Sequence, residues 1–141
     1  MTVLTLADCG NAARKIAAEL NRLYDGRTIA VWGIPRGGFN AAMLLNAVSP
    51  NFVMVDDPLD AVFAVDDIVA SGRTSARVQE LYGMRTAVLY GYDFDPPMQQ
   101  IMTIGHRLTR EDGFVNFPWE AKLEEGQFDS AEDSVVRMLQ A

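Results

Sequence analysis

Val62–Ser75 reads VFAVDDIVASGRTS. Four apolar residues run into the adjacent aspartates Asp66 and Asp67, and Ile68 and Val69 follow. Ala70-Ser71-Gly72 then makes a small-residue loop that ends in Arg73-Thr74-Ser75. A short apolar run bounded by turn residues reads as a buried strand over Ala61–Val65, and the spacing after the loop predicts a helix over Thr74–Tyr82, with Gly83 as its C′ residue. The layout sets two carboxylates at the strand's carboxyl end, next to a helix amino terminus whose free N–H groups favour an anion.

Working outward, the same alternation recurs on both sides. Residues 8–24 read as a helix with Ile16, Leu20, Leu23 and Tyr24 along one side, stopped by Gly26. Thr28–Gly33 (TIAVWG) is a buried-looking strand, Ile34–Gly38 a Pro/Gly loop, and Phe39–Ala47 a short apolar helix. Asn51–Val55 and Thr86–Tyr90 (TAVLY) add strands. After Asp93 the pattern weakens: Pro96-Pro97 opens an irregular stretch running to Phe117-Pro118-Trp119. Ser130 and Asp133 resemble a capping box for a last helix carrying Val135, Val136 and Leu139. Strands alternating with helices predict one α/β domain over residues 1–141, a parallel twisted sheet flanked by helices. Loops 34–38 and 70–73 both follow strands, so both open onto the sheet edge where such folds bind ligands.

Composition bounds the class. The chain has 141 residues, 49% hydrophobic and 22% charged, which is ordinary for a single globular domain able to bury a core without staples. Cys9 is the one cysteine, which excludes a disulfide framework or a CxxC metal site and makes a reducing, cytoplasmic setting the default. The chain opens without a charged-then-apolar leader, and no apolar run reaches membrane-spanning length. A net charge of −7 argues against a general nucleic-acid binder.

Four elements carry chemistry, each with an ordinary alternative. Adjacent carboxylates such as Asp66 and Asp67 repel, and ribose diols or a magnesium ion would make the arrangement worthwhile; a solvated strand end is the alternative. Thr74 and Ser75 offer hydroxyls to a phosphate or act as plain helix caps. This loop is not a Walker loop, and no GxGxxG occurs. In Gly33-Ile34-Pro35-Arg36-Gly37-Gly38 the glycines allow unusual dihedrals and Arg36 can fork onto an anion; a bare strand-to-helix turn would need only Gly-Gly. In Phe114-Val115-Asn116-Phe117-Pro118-Trp119-Glu120 an aromatic residue could stack on a base, or belong to the core.

These residues resemble a known family. VFAVDDIVASGRTS is similar to the phosphoribosyl pyrophosphate (PRPP) signature of type I phosphoribosyltransferases, and GIPRGG with FNAAMLL looks like their pyrophosphate loop and helix. FVNFPWE resembles the base-binding segment of bacterial xanthine-guanine and hypoxanthine enzymes. The motifs fall in family order and cover roughly residues 8–120.

The resemblance implies transfer of ribose-5-phosphate from PRPP to a purine-like base, a step of nucleotide salvage, with Mg2+ as cofactor and a homodimer as the assembly. It assigns the ribose hydroxyls to Asp66 and Asp67, near magnesium, and the 5′-phosphate to Ala70, Ser71, Gly72, Arg73, Thr74 and Ser75. Pro35, Arg36, Gly37 and Gly38 would face pyrophosphate, beside a backbone that is often non-prolyl cis in the family. Phe114 would stack on the base, Val115 would offer backbone contacts, and Glu120 would be an outer magnesium contact.

Three positions depart from the pattern. Ala70 stands where 6-oxopurine enzymes carry an aspartate, and Gly91-Tyr92 where they carry a lysine. Asp56–Asp60 replaces a long mobile hood with a five-residue turn. Retained ligand motifs with a shortened hood also fit a non-catalytic sensor of PRPP or a nucleotide.

Overall fold

In the computed structural model, residues 1–92 and 99–120 are described. In chain order the elements are β1 (Thr2–Val3), α1 (Leu6–Tyr24), β2 (Ile29–Gly33), α2 (Gly37–Val48), β3 (Phe52–Met54), β4 (Phe63–Val69), α3 (Arg73–Tyr82), β5 (Thr86–Tyr92), β6 (Ile101–Leu108) and β7 (Val115–Asn116). The C-terminal helix read from Ser130 lies outside the described residues, as does Pro96-Pro97.

Five strands form one parallel sheet in the order β3-β2-β4-β5-β6. The helices α1 and α2 cover one face, where Ile16, Leu20, Ala41 and Leu45 pack on Val31, Val65, Ala87 and Leu89. The opposite face is covered by α3 through Val78, against Trp32, Ile34 and Ala64. Burial on both faces explains why these strands read as continuous apolar runs rather than alternating ones. Among the described residues, no helix is long and apolar enough to cross a membrane.

Local chemistry sets the ends. A Thr5–Asp8 capping box opens α1: Thr5 Oγ1 accepts from the Asp8 amide at 3.1 Å and Asp8 Oδ2 accepts from the Thr5 amide at 2.9 Å. Gly83, with φ 67°, closes α3 by donating its N–H to the Gln79 carbonyl. Leu23 leaves the face expected for it and is 63% exposed, while Leu20 is buried and Tyr24 packs on the core by stacking against Phe63.

Four expectations about element boundaries change. First, β4 continues through Asp66 and Asp67 to Val69, so the acidic pair sits inside the strand, with Asp66 and Ile68 paired to Val88 and Tyr90. Second, α2 begins at Gly37, which leaves only Ile34, Pro35 and Arg36 as the loop. Third, the β3–β4 link spans 55–62 and carries a helical turn at Pro58–Asp60, which Asp57 caps by accepting the Leu59 amide at 2.9 Å. The link between β3 and β4 is thus eight residues long, three more than the sequence suggested.

The fourth change is the largest. Residues 101–108, read as irregular, are the eight-residue edge strand β6, parallel to β5. Only eight residues separate β5 from β6, fewer than the dozen or more that parallel crossovers ordinarily need. The N-terminal residues also add an unanticipated parallel pairing between β1 and β7.

Candidate functional site

The strand order reverses between β2 and β4: the chain moves outward from β2 to β3, then returns to the other side of β2. Crevices at such a switch point are where open α/β sheets take ligands. The Pro35–Arg36 loop leaves β2 here and the DDIVASGRTS segment leaves β4 here, so topology brings the two motifs to one crevice.

Close backbone contact, not exotic dihedrals, explains the glycines of the first loop. None of Gly33, Gly37 and Gly38 has a positive φ. A Cβ on Gly33 would lie 2.6 Å from the Gly38 carbonyl oxygen, and one on Gly38 would lie 2.5 Å from the Val65 carbonyl oxygen. The first turn of α2 is therefore pressed onto β4, and the Ile34 amide extends the β2–β4 pairing by donating to Val65 at 2.9 Å. Gly37 is the tightest case: its Cβ would fall 1.8 Å from Asp67 Oδ2. The space that glycine leaves is filled by the Asp67 carboxylate. The peptide between Pro35 and Arg36 is cis, in the place the resemblance implies.

Asp67 is held from several sides. Trp119 Nε1 donates to its Oδ2 at 3.3 Å. Burial pushes the Asp67 carboxyl above the usual carboxylate range, opposed by hydrogen bonds from the Asp66 side chain, Trp119 and the amides of Ile68 and Asp67. Asp66 Oδ1 accepts from the Asp67 amide at 2.9 Å. The Glu120 carboxyl is likewise raised, first by burial; the Phe117 amide opposes this, Asp67 adds to it and Arg36 lowers it. Glu120 therefore shares the field of both Asp67 and the exposed Arg36.

At the other wall, Gly72 adopts φ 83° as the N-cap of α3, and no side chain caps that helix. The Arg73 amide donates to Ser71 Oγ at 3.3 Å, and the first intrahelical bond runs from Ala76 to Gly72 at 2.9 Å. Helix geometry leaves the Thr74 and Ser75 amides without intrahelical acceptors, as an anion nest requires. Both residues are buried, at the second and third helical positions, so neither is the N-cap.

The segment expected to meet a base lies apart: Val115 and Asn116 form β7, and Phe114 directly precedes it. Phe114 is 7% exposed, and its carbonyl accepts from the Thr2 amide at 2.7 Å. Its ring is enclosed, as the core alternative anticipates. In the β1–β7 pairing, Thr2 lies opposite Val115 and Leu4 donates to Asn116, which turns the Val115 amide and carbonyl away from β1. Gly91 sits between Ile104 and Val69 with no room for a side chain. Tyr92 spends its hydroxyl on the Gly113 carbonyl, tying the end of β5 to the turn before Phe114.

One residue of this site was expected only as part of the FVNFPWE segment, with no role of its own. Trp119 stacks on Phe117 with centroids 5.0 Å apart and rings 14° from parallel, and Phe117 in turn packs edge-on to Tyr90 at 5.7 Å. Its position directly before Glu120 was the only available signal.

For magnesium, the available donors are hard carboxylate oxygens, the right kind for the ion. Among the described residues, no three His, Cys, Asp or Glu side chains group closely enough to hold a metal alone. The residues fit an ion held by one or two carboxylates and completed by a ligand's own oxygens, the usual arrangement for magnesium with phosphates.

Comparison with known proteins supplies the fold's name. No protein-family model matches the chain, and no curated protein matches it. Solved structures do. A purine phosphoribosyltransferase from Pyrococcus horikoshii aligns with a TM-score of 0.66 at 18% identity, covering 87% of this chain and 95% of that one. A hypothetical protein from Neisseria gonorrhoeae with bound ppGpp aligns at 0.65 and 17%, covering 94% and 97%. A hypoxanthine-guanine phosphoribosyltransferase from Bacillus anthracis aligns at 0.61 and 15%, covering 77% and 81%. The chain therefore has the fold of the type I phosphoribosyltransferases.

Proposed function

We propose that this protein transfers ribose-5-phosphate from PRPP to a purine-like nucleobase and releases pyrophosphate. The observation that carries the reading is the fit of the Asp67 carboxylate into the space left by Gly37, which joins the two PRPP-like motifs at the switch point. In this reading the amino end of α3, with Thr74 and Ser75, binds the 5′-phosphate through amides and hydroxyls. Asp66 and Asp67 accept from the ribose hydroxyls, and Arg36 pairs with the leaving pyrophosphate and offsets its charge. Val115 presents backbone groups to the base edge, while stacking by Phe114 requires its ring to be uncovered. Magnesium, when bound, adds positive charge at the pyrophosphate; Asp66, Asp67 and Glu120 are the residues to hold it with the ligand. Catalysis of this kind is electrostatic stabilisation of charge developing on the leaving group. A homodimer in the cytoplasm is the setting this reading carries.

A second reading is a non-catalytic nucleotide sensor. Two observations favour it: the short 55–62 link where the family has a closing hood, and the Neisseria gonorrhoeae neighbour with bound ppGpp. A site open to water lets hydrolysis compete with transfer.

Incubation with PRPP, Mg2+ and a panel of bases separates the two. Base-dependent pyrophosphate release establishes the transferase. Thermal stabilisation by PRPP or a nucleotide without turnover establishes the sensor; ligand at 100 times its Kd adds about 2.7 kcal/mol to stability, an easily measured shift. No shift with any ligand eliminates both.

A further inference from the structure

We propose that Trp119 is a positioning residue, whose indole N–H holds the Asp67 carboxylate against Gly37 so that its remaining acceptor positions meet a ligand's ribose hydroxyls. The inference rests on the ribose-phosphate reading of the site and adds a residue to it.

The geometry is specific. Asp67 Oδ2 is the atom that approaches the Gly37 position at 1.8 Å from a would-be Cβ, and it is the same atom that accepts from Trp119 Nε1 at 3.3 Å. One oxygen is thus fixed from two sides, which sets the plane of the carboxylate. The donor is itself braced: Trp119 stacks on Phe117, and Phe117 is 1% exposed and packed edge-on against Tyr90 of β5. A chain of rings anchored in the sheet therefore determines where the N–H points. A donor with no charge of its own adds no further charge beside Asp67, which already shares its field with Glu120. A hydrogen bond donated to the ionised carboxylate favours that form over the neutral acid, which counters the effect of burial.

Phe at position 119 keeps the stacking surface and removes only the donor. The protein's other tryptophan is Trp32, so the difference in emission between the unsubstituted protein and W119F isolates Trp119. Without ligand, that difference signal is expected to shift in D67A, which removes the acceptor of the indole N–H. With PRPP as the probe, W119F is expected to bind about tenfold more weakly, the loss of one charge-assisted hydrogen bond. W119H, which restores a ring N–H, is expected to recover part of the affinity, while a merely space-filling role predicts that W119F is the better binder of the two.

Emission of Trp119 that is unchanged in D67A refutes the contact. Unchanged affinity in W119F, or a W119F that binds as well as or better than W119H, refutes the positioning role. Failure of the unsubstituted protein to bind PRPP refutes the ribose-phosphate reading, and the role of Trp119 falls with it even where the D67A-sensitive emission is intact.

Discussion

Replacing Gly37 with Ala tests the architecture of the crevice at a single atom. The added Cβ would stand 1.8 Å from Asp67 Oδ2, 2.5 Å from its Cγ and 3.0 Å from Oδ1. Ordinary contact begins near 3.4 Å, so Oδ2 must retreat by about 1.6 Å. That displacement breaks the 3.3 Å bond from Trp119 and carries the carboxylate away from the loop that holds Arg36. Alanine gains up to about 1 kcal/mol of helix propensity at this position, against about 1.5–3 kcal/mol for a lost hydrogen bond to a charged group. The net cost is about 1 kcal/mol, a fall of about 3–4 °C in Tm for a domain of this size. Function is expected to suffer far more, since misplacing a group by 1 Å costs about 100-fold in rate or binding. Isothermal titration with PRPP and Mg2+, alongside thermal melts, reads both quantities. G37A protein that binds like the unsubstituted chain refutes the placement of Asp67 in the site. A melt lowered by 10 °C or more would mean that the glycine serves the fold rather than the ligand.

Three other outcomes follow from the same coordinates. Gly10 lies inside α1 with nothing nearer to its would-be Cβ than Arg14 at 3.8 Å, so G10A is expected to stabilise the protein by about 0.5–1 kcal/mol in urea denaturation. The native pKa of Asp67 is raised above its unfolded value of 3.8, so the folded state holds the extra proton and stability falls as pH rises through that window. D67N is accordingly expected to be more stable than the unsubstituted chain near pH 7, with the advantage vanishing below pH about 3.8, in urea melts taken across the range. Cys9 is fully buried and its thiol is pushed up to about 12, mainly by burial, so a thiol reagent at pH 8 is expected to label it only after denaturation.

The sheet and its order of helices were readable because both faces are covered: TIAVWG and TAVLY have no polar side to disguise them. The edge strand IMTIGHRL was not, since its buried Thr103 and Gly105 and exposed His106 and Arg107 mix the pattern, and the eight residues between it and β5 are fewer than a parallel crossover ordinarily needs. The acidic pair looked like a strand end because charge ordinarily terminates a buried strand; here β5 pairs alongside it and keeps the strand going to Val69. For the glycines, sequence pointed to the right residues for the wrong reason. The demand at Gly37 comes from Asp67, thirty positions away, and such long-range contact has no local signal. Trp119 was hidden in the same way, since its partner is fifty-two residues distant and aromatic residues beside proline are usually core.

Eight residues, 55–62, join β3 to β4, and Leu59 at their tip is 77% exposed. A link that short has no slack to swing over the crevice, so on this side encounter and departure are single steps rather than steps waiting on a closure. Residence time is then set by the contacts themselves rather than by a closing segment on this side. Stopped-flow traces should show one concentration-dependent phase, with no slower unimolecular phase behind it.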